Sequence, residues 1–558
     1  MSSSKEVPEA EITVGSEIPA LAASQEGEAV PIDELRAAAA VIGFDASDDD
    51  LASIGPLAAA NRALYRYPRR HPLADGAGPF PALVFDPIVP GVRAHADPTG
   101  GRRWQPRRPS TRPVDVDGLA FADLATLAGL VRARRVSCRQ LAETSLARLE
   151  RLDPTLRCVV TLTAERALAR ADALDAELAA GRWRGPLHGI PWGAKDLIAV
   201  EGSPTTWGSP PWRDQRPADD ATVVSRLDEA GAVLVAKLST GELAMGDSWF
   251  GGRTRNPWDP EQGSSGSSAG PASATAAGAV AFALGTETYG SIVSPSSVCG
   301  CSSLRPTFGR VSRTGVMALA WSLDKVGPMA RNVADLGLVL AAIAGGDGVD
   351  PTVVARPFVP PGRVDVAGWR VGVSDASFEQ FDEDRHVLEE LASLGVELVP
   401  VELPRLPTRE MLLAVVVESA AAFDELTRAD RLRELAVQDG WPKSFLAARF
   451  VPAVEYLRGM RLRTELMVAM EQVMDGLDAI VHPTGAVRML SIGNLTGRPT
   501  VAAPCGFESK PPSPEQGSSL RTPRSISFTG QLFGESRLLA LAGAWQRATT
   551  HHLEHPAL

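Results

Sequence analysis

Cysteine is scarce in this chain: five residues in 558, at Cys138, Cys158, Cys299, Cys301 and Cys505. Five scattered thiols exclude a disulfide framework. Cys299-Val-Cys301 lacks the spacing and the partner pair of a zinc knuckle, so buried free thiols are the expected state. Long apolar runs are missing too. None reaches the roughly 18–20 residues of a membrane span, and the nearest, Ala269–Leu284, is mainly Ala and Gly. The N-terminus lacks the basic start and apolar stretch of a secretory signal, which makes the cytoplasm the expected location. Nor is basic charge in excess: 56 Lys and Arg against 67 Asp and Glu give a net charge of −11. That balance argues against a nucleic-acid partner. The one basic cluster, Arg102, Arg103, Arg107, Arg108 and Arg112, lies among prolines and reads as a solvated loop.

What is present is ordinary globular composition, 44% hydrophobic and 22% charged, in a chain long enough for a large core. Residues 1–30, rich in Ser, Glu, Pro and Ala, read as a disordered tail. Residues 31–113 read as a helical segment (Ile32 to Ile42, then a second helix beginning between Asp45 and Ile54) followed by a Pro/Arg-rich linker. From 114 to 558 helical patterns (Phe121 to Val131, Ser137 to Leu152 capped by Ser137, Ala164 to Ala180, Thr222 to Ala230, Val333 to Ile343) alternate with short β-like runs at Ala232, Val280 and Arg370. Such alternation predicts an α/β core with helices on both faces of a sheet. Further helices are expected over Glu379 to Leu394, Met411 to Leu435 and Glu535 to His552, and residues 507–524 read as a loop.

One stretch stands apart. Gly263-Ser-Ser-Gly-Ser-Ser-Ala-Gly270 opens an Ala-rich segment that ends at Gly285-Thr-Glu-Thr-Tyr-Gly-Ser-Ile292, and upstream lies Gly189-Ile-Pro-Trp-Gly-Ala-Lys195-Asp196. A flexible linker would not continue into an Ala-rich run. A phosphate loop would need Gly-x-x-x-x-Gly-Lys-Ser/Thr. Gly266-Ser-Ser-Ala-Gly270 fits Gly-x-Ser-x-Gly around Ser268, but a nucleophile elbow needs a strand running into it, and Asn256 to Gly263 reads as a loop.

The fourth reading is an amidase site. From Gly189 to Ile343, and more weakly to the C-terminus, the chain resembles the amidase signature family. The resemblance is carried by Arg255-Asn-Pro-Trp-Asp259, Gly266 to Gly270, Gly285 to Ile292, Cys299-Gly, Leu304 to Arg313, Leu323 to Arg331, Asn494 to Pro499 and Pro504 to Phe507, all in the family's order. It implies a large mixed twisted sheet sandwiched by helices, to which the mainly helical N-terminal segment is an addition, covering the entrance or mediating a homodimer. It also implies a nucleophile at Ser291, a base at Lys195 and a bridging serine, in a cis peptide, at Ser267. Counting from Asn256-Pro-Trp-Asp and back from Ser291 both select Ser267 over Ser264 and Ser265. Ser268 would hold Lys195, and the turn Thr288-Tyr289-Gly290 would supply oxyanion donors. No metal or cofactor is implied.

These residue types suit amide cleavage. A serine hydroxyl is a weak nucleophile and needs a base beside it. None of the eight histidines serves: only His188 lies near a motif, and it reads as structural. A lysine acts as base only if burial lowers its pKa from about 10.4. The Ile190-Pro-Trp-Gly-Ala context fits that, against the blander reading of a surface lysine paired with Asp196.

Departures from the family pattern concern the substrate. Tyr289 stands where Gly is commonest, either narrowing an acyl pocket or packing on a helix. Val293 replaces a frequent arginine, and Ala269 and Pro271 replace a glycine and a small residue. The expected activity is hydrolysis of a small carboxylic amide to acid plus ammonia or amine, with the variable segment 350–490 shaping the pocket. The alternatives are the glutaminase (A) subunit of a tRNA-dependent amidotransferase, a catalytically idle scaffold of the same fold and an α/β-hydrolase esterase.

Overall fold

The structure is a computed structural model that describes residues 29–65, 85–93, 104–108, 114–510 and 520–558. The tail expected over 1–30, apart from residues 29 and 30, and most of the Pro/Arg-rich linker lie outside the described residues.

Among the described residues fifteen strands form. They are β1 (Val159–Leu162), β2 (Pro191–Lys195), β3 (Val233–Leu238), β4 (Ser248–Trp249), β5 (Gly252–Arg253), β6 (Arg255–Asn256), β7 (Asp259–Gly263), β8 (Phe282–Glu287), β9 (Ser302–Arg305), β10 (Lys325–Ala330), β11 (Arg370–Val373), β12 (Glu397–Pro400), β13 (Ala479–Pro483), β14 (Thr500–Lys510) and β15 (Leu520–Gly530). Eleven of them make one sheet in the order β1-β3-β2-β8-β10-β9-β14-β15-β13-β11-β12. The sheet is mixed: β3, β2 and β8 run parallel, as do β13, β11 and β12, while β10, β9, β14 and β15 pair antiparallel. Every residue of β2, β3 and β8 is buried, which parallel strands covered on both faces require. This is the α/β architecture expected.

Helices cover the sheet where the patterns predict them. Cys138–Leu156 starts at a capping box in which Ser137 Oγ accepts the Gln140 N–H and the Gln140 side chain accepts the Ser137 N–H. It buries Leu141, Leu149, Leu152 and Leu156 at helical spacing. Ala164–Ala179 and Val333–Ile343 also form as read. The N-terminal pair, Ile32–Ile42 and Asp48–Leu64, packs Leu35, Leu51 and Ile54 against Trp441 and Phe445 of the helix Trp441–Ala448.

Four readings change. The helix expected over Met411 to Leu435 is broken into Leu413–Ala422 and Asp424–Arg428, stops where Asp430 takes a left-handed φ of 53°, and is followed by a short turn at Leu432–Glu434. Glu379 to Leu394 is helical only from His386 to Ser393, after a single turn at Asp382–Asp384. Residues 507–510 and 520–524 are not loop but the outer arms of the β14–β15 hairpin, with Phe507 opposite Pro523 and Glu508 opposite Thr522. Asn256 to Gly263 folds back as the small β6–β7 hairpin.

Candidate active site

Parallel strands bring the first two components together. Lys195 is the last residue of β2, whose neighbour β8 places Leu284 opposite Ala194 and so carries Thr286 and Glu287 past the lysine. Ligand sites in such sheets lie at the carboxyl ends of the strands. β8 runs on into the turn Thr288 to Ser291 and the helix Val293–Cys299. The third component, 264–268, leads from β7 into the helix Ala269–Ala276. The peptide Gly266–Ser267 is cis, as the resemblance implies. Gly266 has no room for a side chain, since a Cβ there would come within 1.8 Å of Gly246 O.

Lys195 Nζ lies 2.8 Å from Ser267 Oγ, 3.1 Å from Ser268 Oγ and 2.9 Å from Thr286 Oγ1. Ser268 Oγ donates to Thr286 O at 3.1 Å and accepts the Thr286 N–H at 3.2 Å. Its proton is thereby committed, so towards Lys195 it is an acceptor. Lys195 is fully buried, and among the described residues no carboxylate pairs with it. Burial pushes its ammonium well below the ordinary value of 10.5, and the more distant Asp324 and Glu287 offset this only in part. Asp196 pairs with Lys237 at 2.8 Å and accepts from Thr206, so it does not neutralise Lys195.

Ser291 is joined to this cluster through the backbone, its carbonyl accepting the Ser268 N–H at 3.1 Å. No hydrogen bond links Ser291 Oγ to Ser267 Oγ. Ser291 is 8% exposed, against 1% for Ser267 and none for Lys195 and Ser268, so it is the serine of the cluster that solvent reaches most. The turn before it needs glycine at 290, where φ is +82°. The N–H groups of Gly290 and Ser291 donate to no acceptor among the described residues.

Sequence reasoning missed what fixes this turn. Glu287 accepts the N–H groups of Ile292 at 2.9 Å and Val293 at 3.1 Å, while its other oxygen meets Arg305 at 2.8 Å and Asn494 at 2.9 Å. Burial alone would raise the Glu287 carboxyl, but Arg305 and Lys325 outweigh it and hold the group at about 2. Thr288 Oγ1 donates to Asp324 at 2.6 Å. The Tyr289 hydroxyl lies 2.9 Å from Ser491 Oγ on the helix Val487–Leu495, and its ring packs with Val293 and Leu490, which is the helix-packing reading. Thr286, Glu287, Arg305, Asp324 and Asn494 all fall within the motifs quoted above. Their roles were invisible because each depends on a partner distant in the chain.

Ser264 and Ser265 stay off the lysine: Ser264 Oγ donates to Ser265 O. His188 is buried, with one ring nitrogen on Leu174 O and the other accepting the Arg184 N–H, as a structural histidine would be. His71 and His95 lie outside the described residues. All five cysteines are buried and free.

The family model described as Amidase matches residues 140–506. The chain belongs to the amidase family. It is accordingly a hydrolase of carbon–nitrogen bonds. The A subunit of glutamyl-tRNA(Gln) amidotransferase from Chloroflexus aurantiacus is 36% identical over 479 residues, covering 76% of this chain and 96% of that protein. Its counterpart from a Roseiflexus species is 34% identical over 476 residues, 75% of this chain and 94% of its own length. Among solved structures, the native peptide amidase of Stenotrophomonas maltophilia superposes with a TM-score of 0.68 at 30% identity, covering 79% of this chain and 99% of that one.

Proposed function

We propose that this amidase hydrolyses a small carboxylic amide to acid plus ammonia or amine, through an acyl-enzyme on Ser291 with Ser267 and Lys195 as proton relay. The observation that carries the reading is the 2.8 Å contact between Ser267 Oγ and a fully buried Lys195 that has no carboxylate partner among the described residues. A lysine so placed favours the neutral amine. Its two N–H bonds go to Ser268 Oγ and Thr286 Oγ1, and its lone pair then accepts the Ser267 proton.

Ser267 in turn takes the Ser291 proton as Ser291 Oγ attacks the carbonyl carbon, a transfer for which substrate must bring the two hydroxyls together. The oxyanion meets the uncommitted N–H groups of Gly290 and Ser291. They are available because Glu287 occupies the next two N–H groups of the turn. The proton returns through Ser267 to the leaving nitrogen, and water cleaves the ester by the same relay. Thr288 and Tyr289 hold the turn through Asp324 and Ser491.

In this reading residues 114–558 are the catalytic unit, 350–490 shapes the substrate pocket, and the protein works in the cytoplasm on a small amide. Among the described residues no helix is long and apolar enough to cross a membrane. Labelling with a serine-directed fluorophosphonate, followed by mapping of the adduct, tests the assignment. The adduct is expected on Ser291 and absent from Ser291→Ala; labelling of another serine, or none, refutes it.

The similarity to amidotransferase A subunits favours a second reading, a glutaminase that passes ammonia to a partner. Glutamine hydrolysis that appears only on adding such a partner selects that reading, and turnover of simple amides by the chain alone selects the first.

A further inference from the structure

The described residues contain one group of side chains able to share a metal ion, and it is remote from the relay in sequence and in hydrogen bonding. We propose that His386, Glu390 and His551 bind one divalent ion of the zinc type, which ties the C-terminal turn to the helix His386–Ser393.

His386 and Glu390 stand four residues apart on that helix, so both project from one face. His551 comes from the turn His551–Leu553 that follows the last long helix. One ligand atom from each of the three lies within 4.8 Å of the others, and His551 Nε2 is 3.9 Å from Glu390 Oε1. Zinc–ligand bonds of about 2.0–2.2 Å in tetrahedral geometry put the ligands of one ion about 3.3–3.6 Å apart. Side-chain closure of about an ångström brings the three atoms to that spacing. All three residues are partly buried, which leaves an ion a route from solvent.

The surrounding hydrogen bonds are those that ligands need. Glu390 Oε2 accepts the Trp545 Nε1–H at 2.7 Å, which fixes the carboxylate and leaves Oε1 towards His551. His386 Nδ1 lies 2.8 Å from Glu383 O, the bond by which a ligating imidazole is oriented through its other nitrogen. His386 Nε2 lies 2.8 Å from Cys505 O on β14. A neutral ring has one N–H for these two carbonyls, so one contact sets acceptor against acceptor. An ion on Nε2 resolves this, with Cys505 O as a neighbouring donor. Two imidazoles, a carboxylate and a carbonyl suit zinc, with nickel and cobalt as competitors. A protonated His386 satisfies both carbonyls without any ion, and that alternative is what the experiment must discriminate.

The full-length protein, stripped with a chelator and dialysed, is titrated with Zn²⁺ by calorimetry beside His551→Ala and Glu390→Gln. Neither residue is fully buried, so both variants are expected to fold. The expected result is one equivalent bound by the parent, affinity weakened at least ~10-fold in each variant, and a rise in Tm with Zn²⁺ that only the parent shows. Fluorophosphonate labelling of Ser291 is expected to be the same in all three. Absence of saturable binding, or equal affinity in parent and variants, overturns the proposal.

Discussion

At the scale of single residues the site is an exercise in proton accounting around Lys195. The unfolded lysine holds its proton up to about 10.4, whereas burial pushes the folded group well below that. Between those two values the unfolded state binds more protons, so this group makes stability rise with pH through that window. Lys195→Met removes the term. The loss of its three hydroxyl contacts is an offset independent of pH, so the slope carries the signature. The stability of Lys195→Met relative to the parent is expected to decline as pH rises towards about 10.4, by about 1.4 kcal/mol per unit of depression. Denaturant melts from pH 7 to 10 measure it, and a flat difference contradicts a depressed pKa. The same depression predicts that kcat/KM on a simple amide rises with pH through a midpoint well below 10.5 and then levels. Ser267→Ala is expected to lower kcat roughly a thousandfold or more. Ser264→Ala, whose hydroxyl serves only Ser265 O, is expected to stay within about twofold of the parent. The sequence singled out Lys195, Ser267, Ser268 and Ser291 because they sit in dense local motifs. It was silent on Thr286, since a threonine inside a strand carries no mark of the lysine on the adjacent strand.

At the scale of elements the turn that carries Ser291 is a strand–turn–helix whose helix end is pinned by the buried Glu287 carboxylate. Glu287 ends β8, and its partners Arg305 and Asn494 come from β9 and from a helix some two hundred residues away. A group held at about 2 in the fold and about 4.3 when unfolded contributes stability that is complete above the higher value and lost as pH falls through the lower. The expected loss between those values is on the order of 3 kcal/mol. Glu287→Gln is expected to flatten that acid limb. At pH 7 it leaves the buried Arg305 without its ion-pair partner, at a cost of about 3–5 kcal/mol. Because a glutamine oxygen still accepts from Ile292 and Val293, kcat should fall more than KM rises. Acid titration of the unfolding midpoint, with kinetics on the same variant, checks both. Local signals located the elements themselves well: the Ser137 cap, Val333–Ile343 and β11 form as read. They failed where tertiary pairing overrides composition. Residues 507–524 look like loop, yet Phe507 lies against Trp258, with ring centres 4.9 Å apart, and beneath Arg521, so the hairpin arms are held from both sides.

At the scale of the whole molecule, the order β1-β3-β2-β8-β10-β9-β14-β15-β13-β11-β12 joins strands far apart in the chain, and no local pattern could reveal it. That order puts Lys195, Thr286 and Glu287 at one sheet end. It also leaves the loop 241–245 as a bridge between the site and the N-terminal helices. Gly241 N–H donates to Ser267 O at 3.3 Å, and the Trp441 indole donates to Leu243 O at 3.0 Å. Leu51 and Ile54 of the helix Asp48–Leu64 belong to the same apolar cluster as Leu243, Trp441 and Phe445. Leu243 and Ala244 are left-handed, at φ 47° and 66°, a conformation that bulky residues keep only when their surroundings impose it. Undocking the N-terminal helices should therefore loosen this loop without touching a reacting atom. Ile54 is fully buried, so Ile54→Asp forces either a buried charge or undocking, and undocking costs less. The expected outcome is rapid proteolysis within 29–65, a several-fold rise in KM, and retained labelling of Ser291. Unchanged KM in a variant whose helices are demonstrably cut would mean that the loop holds its shape alone.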